Sequence, residues 1–475
     1  MTALEPSRTD RDTADEASKS GTDARRQARK KARKTREPRG RIAAARTALT
    51  AWLGRPLASF HLVLAICALL IVLGLVMVLS ASSVPSINEG ASAYTVFGKQ
   101  VVFVLVGLVL FWIGLRVPLT RIRAMSPIGL WVSVLMLVLV LIPGLGSQVN
   151  GTRSWFTIGP VGFQPVEFAK LALALWGAHI LVVKRGLLGQ YRHLLVPVVP
   201  AALVMFALVM LQPDLGGTVT LGVVLIALLW FAGAQLRLFG ALALGGLAGV
   251  VLLAIGTDYR LSRVLSFLSP EKDPEGAAYQ ANQALYALAD GGLFGKGLGQ
   301  GPSKWQYLPN VHNDFIFALI GEELGFLGCA LVLGLFGMLA VVGMRVATRN
   351  IDPWVRLVAA TLTVWLVAQA AINIGYVVNL LPVTGITLPL ISSGGTSVVI
   401  TLLVFGVLAN CARHEPEAVA ALRSQGPGRF GRLMRLPAPD PYQPPTRRRP
   451  VRPPAPSRGP ADRRRHPRTP RGGTS

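Results

Sequence analysis

Cysteine is nearly absent: the 475-residue chain has three, Cys67, Cys329 and Cys411, all in or beside apolar runs. They read as small hydrophobes rather than a disulfide or metal set, and no C-x-x-C or H-E-x-x-H spacing occurs. Charge is also sparse, at 15% of residues, and acids are outnumbered, 23 Asp and Glu against 48 Lys and Arg. With 52% hydrophobic residues and a mean hydropathy of +0.49, this excludes the string of soluble domains that length alone would suggest. Aromatic residues do not interleave the basic block Arg25 to Arg46, so nucleic acid is not the expected partner of the +25 net charge. A cleavable leader is not expected either, since roughly 55 polar residues precede the first apolar run, which then acts as a signal anchor.

What the chain has instead is apolar runs of about 20 residues, the length that crosses a bilayer. Ten are read, near Leu57–Ser80, Phe97–Leu115, Pro127–Ile142, Val166–Val183, Leu194–Leu211, Thr218–Phe231, Leu238–Ile255, Asp314–Met344, Arg356–Leu380 and Thr396–Ala412. Backbone groups in lipid must be satisfied within the segment, so these runs are helices. The fold class is therefore an all-α polytopic membrane protein of ten transmembrane helices, with both termini cytoplasmic and one large extracytoplasmic loop between helices 7 and 8. Basic residues at alternate loops agree with that orientation: Arg116, Arg121 and Arg123; Lys184, Arg185 and Arg192; Arg237; Arg345, Arg349 and Arg356. The membrane domain spans 57–412, between a basic disordered tail over 1–56, attracted to anionic lipids, and an Arg/Pro-rich disordered tail over 413–475.

Polar residues collect in the loops of the outer side. Glycine and proline in 144–165 forbid a helix there, and the following Glu167 and Lys170 lie three residues apart on one helical face. An intrahelical ion pair is the plain alternative to a site role for those two. Gln212 and Asp214 end the fifth run at the same surface. The long loop carries Arg260 and Arg263, then Gly276–Asp290, whose helical spacing (Tyr279, Gln283, Tyr286) is too polar to span and suits the interface. The glycine run after it, around Lys296, has no strand before it and so is not a nucleotide loop; re-entrant backbone is the better account. The most polar stretch is Leu308–Gly328, with Asn310, His312, Asn313, Asp314, Glu322 and Glu323 at the mouth of an apolar run. An Asp within a span costs roughly 2.5–3.5 kcal/mol on insertion scales, which marks Asp314 as functional unless it merely caps the next helix. Gln369, Asn373 and Asn379 follow in the ninth run, and 380–397 is too irregular for lipid exposure.

Taken in order, these outer-face motifs resemble the SEDS family. They are Asn150–Trp155, Gln164–Lys170, Gln212–Gly216, Arg260–Arg263, Tyr279–Gln283, Gly291–Gly299, His312–Gly325, and the P-V-T-G, L-P and S-S-G-G-T-S runs of Leu381–Ser397. Together they cover Leu57–Ala412, and the tails and the wording Tyr307–Asp314 resemble the actinobacterial division branch more than the elongation branch.

The resemblance implies peptidoglycan glycosyl transfer outside the plasma membrane, with lipid II as substrate. A sugar 4-hydroxyl must lose a proton to a base, and charge building on the departing undecaprenyl diphosphate must be stabilised. Asp314 is the expected base. Arg153, Lys170, Arg260, Arg263 and Lys296, with Lys304, are candidates for the diphosphate, and a divalent cation (Mg or Mn) bound through Asp314 is an alternative clamp. Trp155, Glu167, Gln212, Asp214, Tyr279, Gln283, His312, Glu322 and Ser393 are expected to support the site. Glu322 lies about 12 Å further along the helix than Asp314, beyond the spacing of paired glycosidase carboxylates. Some family members carry a Glu where this chain has Gln306, which puts a second catalytic carboxylate there in doubt. The implied partners are a class B penicillin-binding protein (an FtsI-like transpeptidase) and other division proteins, FtsZ among them, reached through the tails. Rival readings are a lipid II flippase and a noncatalytic scaffold for a transpeptidase.

Overall fold

The computed structural model describes residues 54–443 apart from 89, 91, 150, 151, 160, 188, 243, 246–276 and 305–311. Seven helices are long and apolar enough to cross a membrane. They are α1 (Ala58–Asn88), α2 (Thr95–Arg116), α3 (Leu119–Leu139), α4 (Pro165–Val183), α8 (Ile316–Arg349), α9 (Pro353–Val377) and α10 (Gly395–Arg413). Two shorter apolar helices, α5 (Val198–Leu211) and α6 (Leu215–Phe231), lie between α4 and the long loop, within which α7 (Ala277–Gly291) is amphipathic. The described chain is thus a mostly helical, multi-pass membrane protein. The run expected at Leu238–Ile255 falls largely outside the described residues, as do Arg260, Arg263, Trp305 and Gln306.

Burial sorts the helices into a centre and a rim. In α10, 83% of the membrane-length window is buried, against 22% in α2 and α3, so α10 is central and the other two face outward. The lipid-facing rows follow: Val102, Leu105, Val106 and Val109 on α2, and Met125, Ile128, Trp131 and Leu135 on α3 are exposed. Small residues let backbones close up inside lipid, where packing rather than water expulsion drives association. Gly406 of α10 lies against the Phe111 carbonyl of α2, with no room for a Cβ. Asn410 then donates its side-chain amide to the carbonyls of Gly114 (2.9 Å) and Val117 (2.8 Å), satisfying the end of α2.

Two boundaries differ from the sequence reading. The third run was expected to begin at Pro127, yet α3 starts at Leu119 and carries Pro127 inside, so Arg121 and Arg123 lie in its first turns rather than in a loop. Proline cannot donate to the carbonyl four residues back, which here is Arg123. The Ser126 hydroxyl donates to that carbonyl instead, at 2.8 Å, and the helix continues. The tail expected to be disordered from Arg413 is helical in part: α11 (Pro416–Gln425) buries Ala418, Val419 and Leu422, a helical turn follows at Arg429–Leu433, and Leu436 beyond it is buried.

The non-helical stretch after α3 is a three-stranded antiparallel sheet, β1 (Ser147–Val149), β2 (Thr152–Ile158) and β3 (Val161–Phe163), in the order β1-β2-β3. Trp155 pairs with Ser147 and Phe156 with Phe163, and β3 leads through Gln164 into Pro165, the first residue of α4. Glycine and proline excluded a helix here; short strands with a bulge have too little alternation to be read in advance.

The second irregular feature is a break in α8. Gly325 has φ 68° and ψ −164°, a region essentially reserved for glycine. Its break frees the carbonyls of Glu322 and Glu323 and the amides of Phe326 and Leu327, which would otherwise bond each other. The glycine loop after α7 takes all four. Lys296 N donates to Glu322 O (2.9 Å) and Gly297 N to Glu323 O (3.0 Å). Phe326 N donates to Gly292 O (2.8 Å) and Leu327 N to Leu293 O (3.3 Å). Backbone that leaves the helix here is satisfied by protein, as irregular backbone within a membrane has to be. A Cβ at Gly325 would collide with Gly295 N and Leu293 O. Gly325→Ala is expected to cost about 1–3 kcal/mol from backbone strain alone, read as a lowered thermal unfolding midpoint in detergent. An unchanged midpoint would show that the loop is not fitted to the break.

Candidate active site

The loops at one end of the bundle converge on the N-terminal ends of α4, α6, α8 and α10, tied by an extended segment, 380–394, between α9 and α10. One face of α9 holds that segment in place through Gln369, Asn373 and Tyr376, spaced four and three residues apart. Gln369 donates to the Thr387 carbonyl (3.0 Å). Asn373 donates to Asp314 O (3.0 Å), Ile386 O (2.7 Å) and the Tyr376 hydroxyl (2.6 Å). The Tyr376 hydroxyl lies 2.9 Å from Asp314 O and 2.7 Å from Ile386 O. Asn373 and Tyr376 have three protons between them for three acceptors, so the set closes when each donates singly.

The consequence for Asp314 is direct. Its backbone carbonyl is clamped, and its carboxylate faces Gly385, whose Cα lacks the Cβ that would stand 3.9 Å from Asp314 Oδ2. Asp314 is half-buried, in a turn two residues before α8, at a helix start where the macrodipole favours an anion. His312 lies in the same turn and accepts Ser393 N on its carbonyl at 2.9 Å, so the S-S-G-G run is sewn to the Asp314 turn. Tyr376→Phe leaves Asn373 to serve the two carbonyls and is expected to cost about 1 kcal/mol, whereas Asn373→Ala strands buried acceptors and costs about 1–3 kcal/mol. Equal thermal shifts for both would contradict the shared clamp.

The neighbouring elements join through Gln164. Its backbone amide donates to Thr396 Oγ1 of α10 (3.0 Å), which donates to Gly162 O of β3 (3.0 Å); its side chain donates to Asp214 Oδ2 (3.0 Å). Asp214 caps α6 by accepting from Gly217 N at 2.7 Å. Burial nonetheless raises its pKa above the ordinary aspartate value. A raised carboxylate pKa means the folded state holds the proton better than the unfolded chain. The stability it contributes is complete below the ordinary value of about 3.9 and lost as pH rises through the higher folded value. Asp214→Asn keeps a capping oxygen without the charge, so its melting profile should flatten over that window. Profiles parallel to wild type would remove the linkage. Asp214→Ala loses the cap, at about 1 kcal/mol.

Glu167 and Lys170 form the ion pair that competed with a site role, 2.9 Å apart, with Lys170 only 1% exposed. Lys170 Nζ also donates to Gln369 Oε1 (3.2 Å) and lies 5.0 Å from the Trp365 ring. Through Gln369 the pair supports segment 380–394 from beneath. Gln212 is buried and donates to Leu137 O (3.3 Å), which ties α3 to the turn before α6.

The remaining candidates are dispersed. Arg153 is half-buried on β2 beside Gly146 and forms no ion pair among the described residues; Trp155 packs over Gly162. Lys296 pairs with Asp290 at 2.6 Å on the surface. Tyr279 and Gln283 are half-buried on α7, which packs along α8. Glu322 is fully buried and accepts from Ser303 N (3.3 Å); Glu323, equally buried, accepts from the Ser80 hydroxyl of α1 at 2.6 and 2.7 Å. Both glutamates are cross-ties. Among the described residues no three His, Cys, Asp or Glu side chains converge to hold a metal ion, so these residues build no dedicated cation cage. The sequence reading passed over Gln164 and Tyr376 as site residues. Tyr376 was signalled by its place on one helical face with Gln369 and Asn373.

Fold and site together define a multi-pass helical membrane protein that gathers Asp314 and a buried hydrogen-bond network at one end of its bundle. The chain belongs to the FTSW_RODA_SPOVE family of cell cycle proteins, which it matches over residues 60–417. It is 53% identical over 404 residues to the probable peptidoglycan glycosyltransferase FtsW of Mycobacterium tuberculosis, covering 84% of this chain and 76% of that protein. The stage V sporulation protein E of Bacillus subtilis is 40% identical over 354 residues, 74% of this chain and 96% of the relative. Among solved structures, a chain of a peptidoglycan synthase complex that coordinates polymerization and crosslinking superposes with a TM-score of 0.60 at 29% identity, covering 77% of this chain and 99% of that one. The rod shape determining protein RodA of Thermus thermophilus gives 0.55 at 29% identity over the same shares.

Proposed function

We propose that this chain is a peptidoglycan glycosyltransferase that polymerises lipid II into glycan strands at the outer face of the plasma membrane during division, with Asp314 as its base. The activity follows the family and its glycosyltransferase relatives. One observation carries the residue assignment: Asp314 is held by its backbone at a helix start while its carboxylate stands at the open side of Gly385.

In the reaction, the 4-hydroxyl oxygen of the incoming sugar bonds to the anomeric carbon of the growing chain. The bond from that carbon to the diphosphate breaks, and undecaprenyl diphosphate leaves with the electron pair. The hydroxyl proton passes to Asp314, which needs only hydrogen-bond reach. A diphosphate is already a good leaving group, so one carboxylate suffices, and Glu322 and Glu323 are left to their structural bonds. We assign the diphosphate charge to Arg153, on β2 and without an acid partner among the described residues, and to Arg260 and Arg263, which lie outside the described residues. Ten spans with both tails cytoplasmic, a septal location and a class B transpeptidase partner complete the reading. The synthase complex matched above supports the partner. The test is polymerisation of lipid II by the purified chain with its transpeptidase: glycan product supports the enzyme. Translocation of lipid II across vesicles without product would establish the flippase instead.

A further inference from the structure

The opposite end of the bundle holds a second basic constellation with no place in that reaction. The described part of the C-terminal segment folds back onto α2: Trp112 donates its indole N–H to Met434 O (3.0 Å), Arg413 donates to Pro437 O (2.7 Å), and Leu436 is buried. Between this segment, the last turn of α2 and the Val117–Pro118 turn lies a cavity of about 440 Å³, open to one side. Arg116, Arg121 and Arg435 line it, together with Trp112, Leu436 and Pro437.

The acids at this end are committed elsewhere. Arg349 takes Glu415 (3.8 Å) and Glu417 (3.0 Å), and Arg423 takes Asp440 (3.1 Å). None of the three cavity arginines forms an ion pair among the described residues, while Arg116 stacks on the Trp112 ring at 4.9 Å. Three uncompensated guanidiniums facing one space repel each other unless an anion enters, and guanidinium geometry suits phosphate oxygens. The helix macrodipole at the end of α2 would oppose an anion, but Asn410 already neutralises the carbonyls of Gly114 and Val117. The cavity is also continuous with the outward apolar row of α2: Ile113 lines it and is exposed, as are Val109, Val106 and Val102 behind it. A ligand seated here would have phosphate among the arginines and hydrocarbon along α2.

We infer that the cavity between the C-terminal end of α2 and the returning C-terminal segment binds the phosphate headgroup of an anionic phospholipid of the inner leaflet. Basic pockets at this depth on the cytoplasmic side are the chemistry that retains such headgroups. Bound there, the lipid bridges the returning segment, through Arg435, to the bundle, through Arg116 and Arg121.

The test is native mass spectrometry of the delipidated full chain, titrated with dioleoyl phosphatidylglycerol, dioleoyl phosphatidylcholine or glycerol 3-phosphate. Phosphatidylglycerol should bind more tightly than phosphatidylcholine, and Arg116→Gln, Arg121→Gln and Arg435→Gln should each weaken it about fivefold. Arg432→Gln, exposed on the same segment but outside the cavity, should leave it unchanged. Thermal unfolding of each variant separates lost binding from lost folding. Equal retention of the two lipids, or phosphatidylglycerol binding unchanged in the arginine variants, would overturn the site. Displacement of the lipid by equimolar glycerol 3-phosphate would assign it to a soluble phosphate.

Discussion

Asp314→Ala, purified with the transpeptidase partner, is expected to lose glycan polymerisation from lipid II by about 10²–10⁴-fold, the usual contribution of a positioned base. Asp314→Asn should lose nearly as much, because it keeps size and hydrogen bonding but cannot take a proton. Both variants should unfold near the wild-type temperature. The bonds that locate the turn, from Asn373 and Tyr376, end on the backbone carbonyl of Asp314 and survive either change. The combination of lost activity and intact stability is the signature sought. Full activity in Asp314→Asn would remove it as the base, and a collapse of stability in both would make it a structural residue of the turn.

Lys170→Met is expected to destabilise the protein by about 3–5 kcal/mol, since removing one partner leaves Glu167 charged and buried. The lysine is 1% exposed and the glutamate 7%, so solvent screens the pair little. Replacing both, as Glu167→Gln with Lys170→Met, should restore most of that loss, because a buried pair gains little net energy over a neutral one. Unfolding of the four proteins in a double-mutant cycle measures the coupling directly; additive losses would mean that the pair is not coupled. The stable double variant also separates two roles for Lys170. Polymerisation by it would exclude a diphosphate contact and leave Lys170 a support for Gln369, whereas a folded but inactive double variant would place the lysine in the reaction.

Legibility varied with the range of the interaction. The membrane class, most span positions and the helix over 277–291 followed from hydropathy and periodicity, both local properties of the chain. The start of α3 at Leu119 did not, because the side chain that rescues Pro127 acts through a bond the pattern does not display. Nor was the sheet over 147–163 legible, its strands being three to seven residues long.

The sequence by itself determined that the chain spans a membrane, which family it resembles, and which polar residues had to be justified there. Only the tertiary structure decided what each one meets. Glu167 with Lys170, Glu322 and Glu323 became buried ties, and Asp314 kept a carboxylate facing the Gly385 gap. The reason is that a polar group in lipid must find a partner, and its partner here often lies far along the chain. Gln164 meets Asp214 and Thr396, Asn373 meets Asp314 and Ile386, and Ser80 meets Glu323, pairings that no local pattern specifies.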